Sequence, residues 1–321
     1  MRHLFLAALV PVVLLTACER GGETPPADGS TTQAPPARPV PDAPDFDAAA
    51  AHALIEKQVA FGPRVPGTAG HAAQLEWMTG FLRERADTVQ LLPFEHTPRA
   101  GGAPVRMTNV FARFAPETTD RILLVAHWDT RPMADAETDP ARRAQPIPGA
   151  NDGGSGVAVL LQLADVLSSH SPPVGVDILL VDGEDFGPDE MFLGAKHFAA
   201  NQPPGYAPRY GILVDMVGDA NPSFPMEQNS RLYAPDVVRR VWDLAGALGY
   251  SSIFLPFDGP QIGDDHVPLN EAGIRTIDII DFDYGPGNSL WHTLADTPEN
   301  TSPRGLEAVG TVLLHLVLGG G

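Results

Sequence analysis

The sequence has one cysteine, Cys18, in 321 residues. A domain that begins beyond it has no thiol, which excludes disulfides and a thiol nucleophile. Basic residues are also scarce. There are 21 Lys and Arg against 40 Asp and Glu, a net charge of −19. No Lys/Arg cluster forms a local patch, so phosphates could not be neutralised and nucleic acid is excluded as a partner. The apolar run Leu4 to Leu15 is too short to span a bilayer as a helix. Familiar catalytic signatures are missing as well. Gly153-Gly154-Ser155-Gly156-Val157 is not the G-x-S-x-G elbow of a serine hydrolase. No G-x-G-x-x-G follows a strand, and no loop ends in Gly-Lys-Ser/Thr. What remains is an acidic chain with 43% hydrophobic residues, enough for a sizeable core, and a length that permits one large domain or two average ones.

Arg2 and His3 ahead of the apolar run give the charged start and apolar core of a secretory signal peptide. Leu15-Thr16-Ala17-Cys18 resembles the lipobox of bacterial lipoproteins, which implies cleavage before Cys18 and lipidation of its thiol. The expected location is extracytoplasmic, anchored to a bacterial membrane only through that lipid. Glu19 is not the aspartate that retains lipoproteins in an inner membrane, which favours the outer one. Residues 1–17 are thus expected to be a signal peptide. Residues 18–44, rich in Pro, Ala, Gly, Ser and Thr, cannot bury enough apolar surface to order themselves and read as a tether. Residues 45–321 read as a single catalytic domain.

Within it, apolar periodicity predicts helices at 46–61, 69–85, 153–168, 191–200, 236–248 and 302–318. Strands are expected at 107–114, 121–126, 175–181, 210–214 and 274–280. Short apolar strands alternating with helices indicate an α/β domain, its mostly parallel sheet covered on both faces. Such sheets bind ligands at the carboxyl ends of their strands. The charged residues collect there: His127 and Asp129, Glu184 and Asp185, and Asp215.

Each piece alone admits a structural role. His127-Trp128-Asp129 could cap a strand, Asp152 could cap a helix, Glu184-Asp185 could be a solvated turn, and Trp291-His292 could be core. Together, several carboxylates and two histidines on one sheet edge repel unless a cation offsets them. Histidine and carboxylate ligands without cysteine fit catalytic zinc, with three protein ligands and one open position. Asp152, Asp185 and His292 would supply that set, and Glu184 would be free for general acid/base work. Magnesium, which prefers all-oxygen shells, fits the histidines less well.

In order and approximate spacing, His127-x-Asp129, Gly149-Ala150-Asn151-Asp152, Glu184-Asp185, Asp215 and His292 resemble the M28 zinc peptidase superfamily. The stretches "AHWDTRPMAD", "DGEDFG", "LVDMVGDANPSF", "DDHVPLNEAGI" and "WHTLADTPEN" resemble its glutaminyl cyclases, in particular the bacterial homologues of the animal-type enzyme. The resemblance implies a three-layer α/β/α fold with a mixed central sheet. It implies one zinc on Asp152, Asp185 and His292, and Glu184 as general acid/base. Asp215 and Asp264 would share its proton network, and Trp291 would pack on the substrate's glutamine. The substrate would be a peptide or protein with N-terminal glutamine, cyclised to pyroglutamate. The alternative is a di-zinc aminopeptidase in which residues like His127 and Asp215 hold a second metal. Asp264, where such peptidases more often have serine, and Trp291 before the last histidine favour the cyclase. A binding protein on an inactivated peptidase scaffold would have broken ligand sets, and none is broken here. The role of Asp135 to Ile147, a loop expected near the site, is not legible.

Overall fold

A computed structural model of the chain describes residues 42–321. The signal peptide, Cys18 and almost all of the tether lie outside the described residues. The elements run α1 (Ala48–Val59), α2 (Ala69–Arg83), β1 (Thr88–His96), β2 (Val105–Phe114), β3 (Arg121–His127), α3 (Pro140–Arg143), α4 (Gly154–Leu167), β4 (Gly175–Val181), α5 (Leu193–Ala200), β5 (Tyr210–Asp215), β6 (Phe224–Met226), α6 (Gln228–Tyr233), α7 (Pro235–Ala247), β7 (Phe254–Asp258), α8 (His266–Glu271), β8 (Thr276–Ile280) and α9 (Pro303–Leu318).

The central sheet has the order β1-β2-β4-β3-β5-β8. β4, β3, β5 and β8 pair in parallel, and β1 and β2 close one side antiparallel. The sheet is therefore mixed, as expected. β3, β4 and β5 are buried along their whole length and alternate between two cores. Ile122, Leu124 and Ala126 of β3 face the large core under α1, α4, α7 and α9. Leu123 and Val125 face the smaller one formed with Phe198 of α5 and Leu269 of α8. This two-sided burial is why these strands read as continuous apolar runs. Each fully buried Leu, Ile or Val contributes about 1.5–3 kcal/mol relative to an exposed one.

Local chemistry sets the helix starts. Asp47, Thr68 and Ser302 cap α1, α2 and α9 with side-chain oxygens, and Pro303 occupies the first turn of α9. α4 differs, because Gly153 sits at its N-cap and no side chain caps it. A Cβ at Gly156 would collide with the Val214 carbonyl, so only glycine lets α4 lie this close to β5. Asp152 is thereby left uncapping and free to face the site. The helix expected from Met191 begins at Leu193, after Phe192 in left-handed backbone with φ 61°.

Candidate active site

Because β4, β3, β5 and β8 are parallel, their carboxyl ends share one edge, and the polar residues that follow them meet there. His127 is the last residue of β3 and Asp215 the last of β5. Asp182, Glu184 and Asp185 follow β4, Asp152 precedes α4, Asp264 precedes α8, and His292 lies beyond β8. All of these are buried. Trp128, fully buried, stacks on His71 with ring centroids 4.2 Å apart and donates to the Thr108 carbonyl at 3.2 Å.

Asp152, Asp185 and His292 converge. His292 Nε2 is 3.5 Å from Asp152 Oδ2 and 3.6 Å from Asp185 Oδ2, and one ligand atom from each residue lies within 4.8 Å of the others. Asp185 Oδ2 is buried without a hydrogen-bond partner, while Oδ1 takes Arg131 Nη1. That orphaned oxygen, beside a buried imidazole nitrogen and a second carboxylate, fits a divalent cation, and the His/carboxylate donor set is that of zinc. The loop that carries Asp152 is held from behind. Asp296 accepts the amides of Asn151 at 2.8 Å and Asp152 at 3.2 Å, and the Tyr284 hydroxyl at 3.1 Å.

The other oxygen of Asp152 belongs to a second group. His127 Nε2 is 3.2 Å from both Asp152 Oδ1 and Asp215 Oδ1. Burial pulls the His127 imidazole toward neutrality, but the carboxylates of Asp215, Asp129 and Asp152 outweigh it and hold its pKa well above the usual value. Burial pushes Asp152 up, yet His127, then His292 and Arg131, bring it below the ordinary carboxylate range. Asp129, by its place beside His127 a candidate second-metal or structural group, joins no cluster of three ligand atoms among the described residues and holds backbone. Its Oδ1 accepts the Glu184 amide at 3.0 Å and its Oδ2 the Asp185 amide at 3.1 Å.

Glu184 shares the cavity wall with the first triad, its Oε2 3.9 Å from His127 Nδ1. Burial, reinforced by Asp185, Asp264 and Asp265, raises its pKa well above the carboxylate range. Asp264 is raised by burial and by Asp215 and Asp265; Asp215 is raised by burial against the pull of His127. Behind them Asp278 and Glu227, which sequence reasoning did not reach, join Asp265 and His266 of the "DDHVPLNEAGI" stretch. Asp278 of β8 is raised by burial and then by Asp264. His266 Nε2 is 3.3 Å from Glu227 Oε2, and His266 Nδ1 is 3.8 Å from Asp278 Oδ2. Asp264 Oδ2, both oxygens of Asp265 and of Asp278, and both nitrogens of His266 lack hydrogen-bond partners. Only the alternation of β8 could have flagged Asp278, as a polar residue in an apolar run.

The metal triad, Glu184, Asp215 and Asp264 line a cavity of about 40 Å³. One wall is acidic, with Asp152, Glu184, Asp185, Asp215 and Asp264; the other is apolar, with Met191, Ile262, Phe282 and Trp291. Trp291 stacks on His292 at 3.7 Å between centroids and tilts against Phe282 at 5.2 Å.

Residues 109–317 match the model of peptidase family M28, and the chain belongs to that family. Within it, the chain is similar to a glutaminyl cyclase of Bacteroides thetaiotaomicron crystallised with N-acetylhistamine. The two are 37% identical, with 86% of this chain and 99% of that one covered and a TM-score of 0.83. It is equally similar to a Zn-dependent exopeptidase of Parabacteroides distasonis, 38% identical over 86% of this chain and 99% of that one, with a TM-score of 0.83. Aminopeptidase YwaD of Bacillus subtilis is 28% identical over 209 residues, which are 62% of this chain and 40% of YwaD. The chain spans less than half the length of the curated relatives it matches, between 30% and 45%.

Proposed function

We propose that this chain is a glutaminyl-peptide cyclotransferase, which closes the N-terminal glutamine of peptides or proteins into pyroglutamate and releases ammonia. Asp152, Asp185 and His292 hold one zinc ion in this reading. When bound, it supplies Lewis-acid polarisation of the glutamine side-chain carbonyl. The remaining work falls to side chains of the protein. Glu184 takes a proton from the substrate's α-amine. The amine nitrogen bonds to the side-chain carbonyl carbon, and that carbon's bond to the amide nitrogen breaks as Glu184 returns the proton to it. Ammonia departs and no water is consumed. A carboxylate that must both take and give a proton near neutrality is served by the raised pKa that burial, Asp185 and Asp264 impose on Glu184. Asp264 and Asp215 share protons with it as one coupled group. Trp291 and Ile262 face the glutamine's methylenes.

Asp264 is the observation that carries this reading. It is a buried carboxylate in the cavity wall, beside Glu184, and its side-chain partner is another buried carboxylate, Asp278, so an oxygen there is satisfied only when the pair shares a proton. Such an oxygen calls for a mobile proton. The test is incubation of the purified protein with a Gln-initiated dipeptide, following ammonia and the matching mass loss. Release of free amino acids from unblocked peptides without cyclisation would reject the reading.

A di-metal aminopeptidase is favoured by one observation: His127, Asp152 and Asp215 also bring ligand atoms within 4.8 Å of one another. Metal analysis separates the two readings. About one zinc per chain supports the cyclase, and two supports the peptidase. For location, the Leu15–Cys18 motif supports lipid anchoring on the extracytoplasmic side of a membrane, the outer one by the residue at Glu19. Metabolic labelling with an alkyne fatty acid should mark the chain, and Cys18→Ser should abolish the label.

A further inference from the structure

Neither the metal triad nor the proton-sharing carboxylates account for the segment between β3 and α3. Its residues nevertheless grip the ligand loop at three points. Asp135 Oδ1 accepts from His292 Nδ1 at 2.9 Å, where the ring nitrogen must be the donor because a carboxylate only accepts. The Ala136 amide donates to the His292 carbonyl at 3.2 Å. Glu137 Oε1 accepts the Leu294 amide at 3.2 Å and is itself paired with Arg142 Nη2 at 2.6 Å. His292 needs such support, because its backbone is left-handed with φ 52°, an uncommon state for a residue with a Cβ. The same Asp135 also holds Arg131. Its Oδ2 accepts from Arg131 Nε at 2.9 Å and Nη2 at 2.8 Å, while Arg131 Nη1 donates to Asp185 Oδ1.

We propose that Asp135 is the common positioning residue of two metal ligands. It fixes His292 in the tautomer that leaves Nε2 free. Through Arg131 it occupies Asp185 Oδ1, so that Asp185 offers the cation a single oxygen. An aspartate ligand with both oxygens open could swing between one- and two-oxygen coordination; here one is taken before the metal arrives. Asp185 and His292 are 1% and 4% exposed, so protein partners and not bulk water set their orientation. The inference rests on the metal triad of the preceding section but not on the reaction assigned there.

The experiment uses the purified protein, stripped with a chelator and titrated with zinc against a competing chelating dye. Asp135→Ala is expected to weaken zinc binding about 10–100-fold. X-ray absorption at the zinc edge should show one additional short oxygen scatterer in Arg131→Gln, as Asp185 Oδ1 is released. Circular dichroism and melting of the metal-free forms report folding. If Asp135→Ala fails to fold, Asp135→Asn is used instead, which keeps the size but removes the negative charge that faces Arg131 and His292. Zinc affinity within twofold of the parent in a folded Asp135 variant overturns the proposal, and so does an unchanged zinc shell in Arg131→Gln. A variant whose metal-free melting falls while its zinc affinity holds assigns Asp135 a purely structural role and overturns it too. A parent that binds no zinc would instead reject the ligand triad.

Discussion

Two buried ionic groups lie at opposite ends of the same strands. At the amino end, Asp177 of β4 is fully buried against Arg121 of β3. Its oxygens take Arg121 Nε at 2.8 Å, Arg121 Nη2, Arg113 Nε at 3.1 Å and the Tyr206 hydroxyl at 2.9 Å. Arg121 spends its other donors on the carbonyls of Ala115 at 2.7 Å, Thr118 at 2.9 Å and Phe114 at 3.1 Å. No oxygen of Asp177 is left unpaired, and the Tyr210 hydroxyl is the lone orphan at that end among the described residues. At the carboxyl end, Asp185, Asp264, Asp265, Asp278 and His266 all carry buried atoms without partners. A satisfied buried ion network has nothing left to offer a ligand and serves the fold. An unsatisfied one is tolerated where a cation or a moving proton completes it.

The contrast breaks most sharply at Glu184. Glu184→Gln should lower turnover by about 10²–10⁴-fold while zinc content and melting stay near the parent's. Unchanged ammonia release would remove Glu184 from the chemistry. The opposite end should respond oppositely. Arg121→Met removes the buried cation of Asp177, leaving it only Arg113 and the Tyr206 hydroxyl, and should destabilise the protein by about 3 kcal/mol in urea unfolding. The folded fraction should keep its turnover and zinc affinity, and a selective loss of zinc binding would erase the distinction between the ends.

A subtler difference concerns pH. Burial raises Asp182 and Asp281 to about 6, Asp296 to about 7 and Asp265 to about 8. Between the unfolded carboxylate value near 3.8 and these values, the folded state holds protons that the unfolded state has lost. Stability from this source therefore falls as pH rises through that window. The metal-free protein should melt progressively lower from about pH 5 to about pH 8, and bound zinc should restore more stability at pH 8 than at pH 5. Glu227, brought down to about 2 against burial by His266 and backbone amides, acts the other way and withdraws its support as pH falls below the ordinary glutamate range. Asp265→Asn gives the smallest effect: an advantage in metal-free melting of a few degrees that grows with pH. A constant advantage across pH would mean that Asp265 does not carry the penalty.

How legible all this is in the sequence depends on burial. β3, β4, β5 and β8 were readable because both faces are covered, and α4, α7 and α9 because their apolar positions repeat at helical spacing. β1 is an edge strand with a half-exposed pattern and Pro93 inside it, so neither an apolar run nor clean alternation marks it. α6 and α8 are only six residues long, too short for periodicity to accumulate. In the site, Asp152, Asp185, His292, Glu184, Asp215 and Asp264 do meet, because motifs after strand ends are carried to one edge by parallel pairing. Arg131 and Asp135 stand in the same "HWDTRPMAD" stretch as His127, yet their partners lie 54 and 157 residues away. Only the folded loop reveals that pairing.

Asp129 has a consequence of its own. One carboxylate seats the turn that carries both Asp185, the proposed ion ligand, and Glu184, the proposed proton carrier. Any adjustment of that turn re-aims Asp185 and Glu184 in concert, so the two functions are inherited as a package. An engineer seeking a different metal, or a different acid strength at 184, has to begin at position 129 and accept that both move.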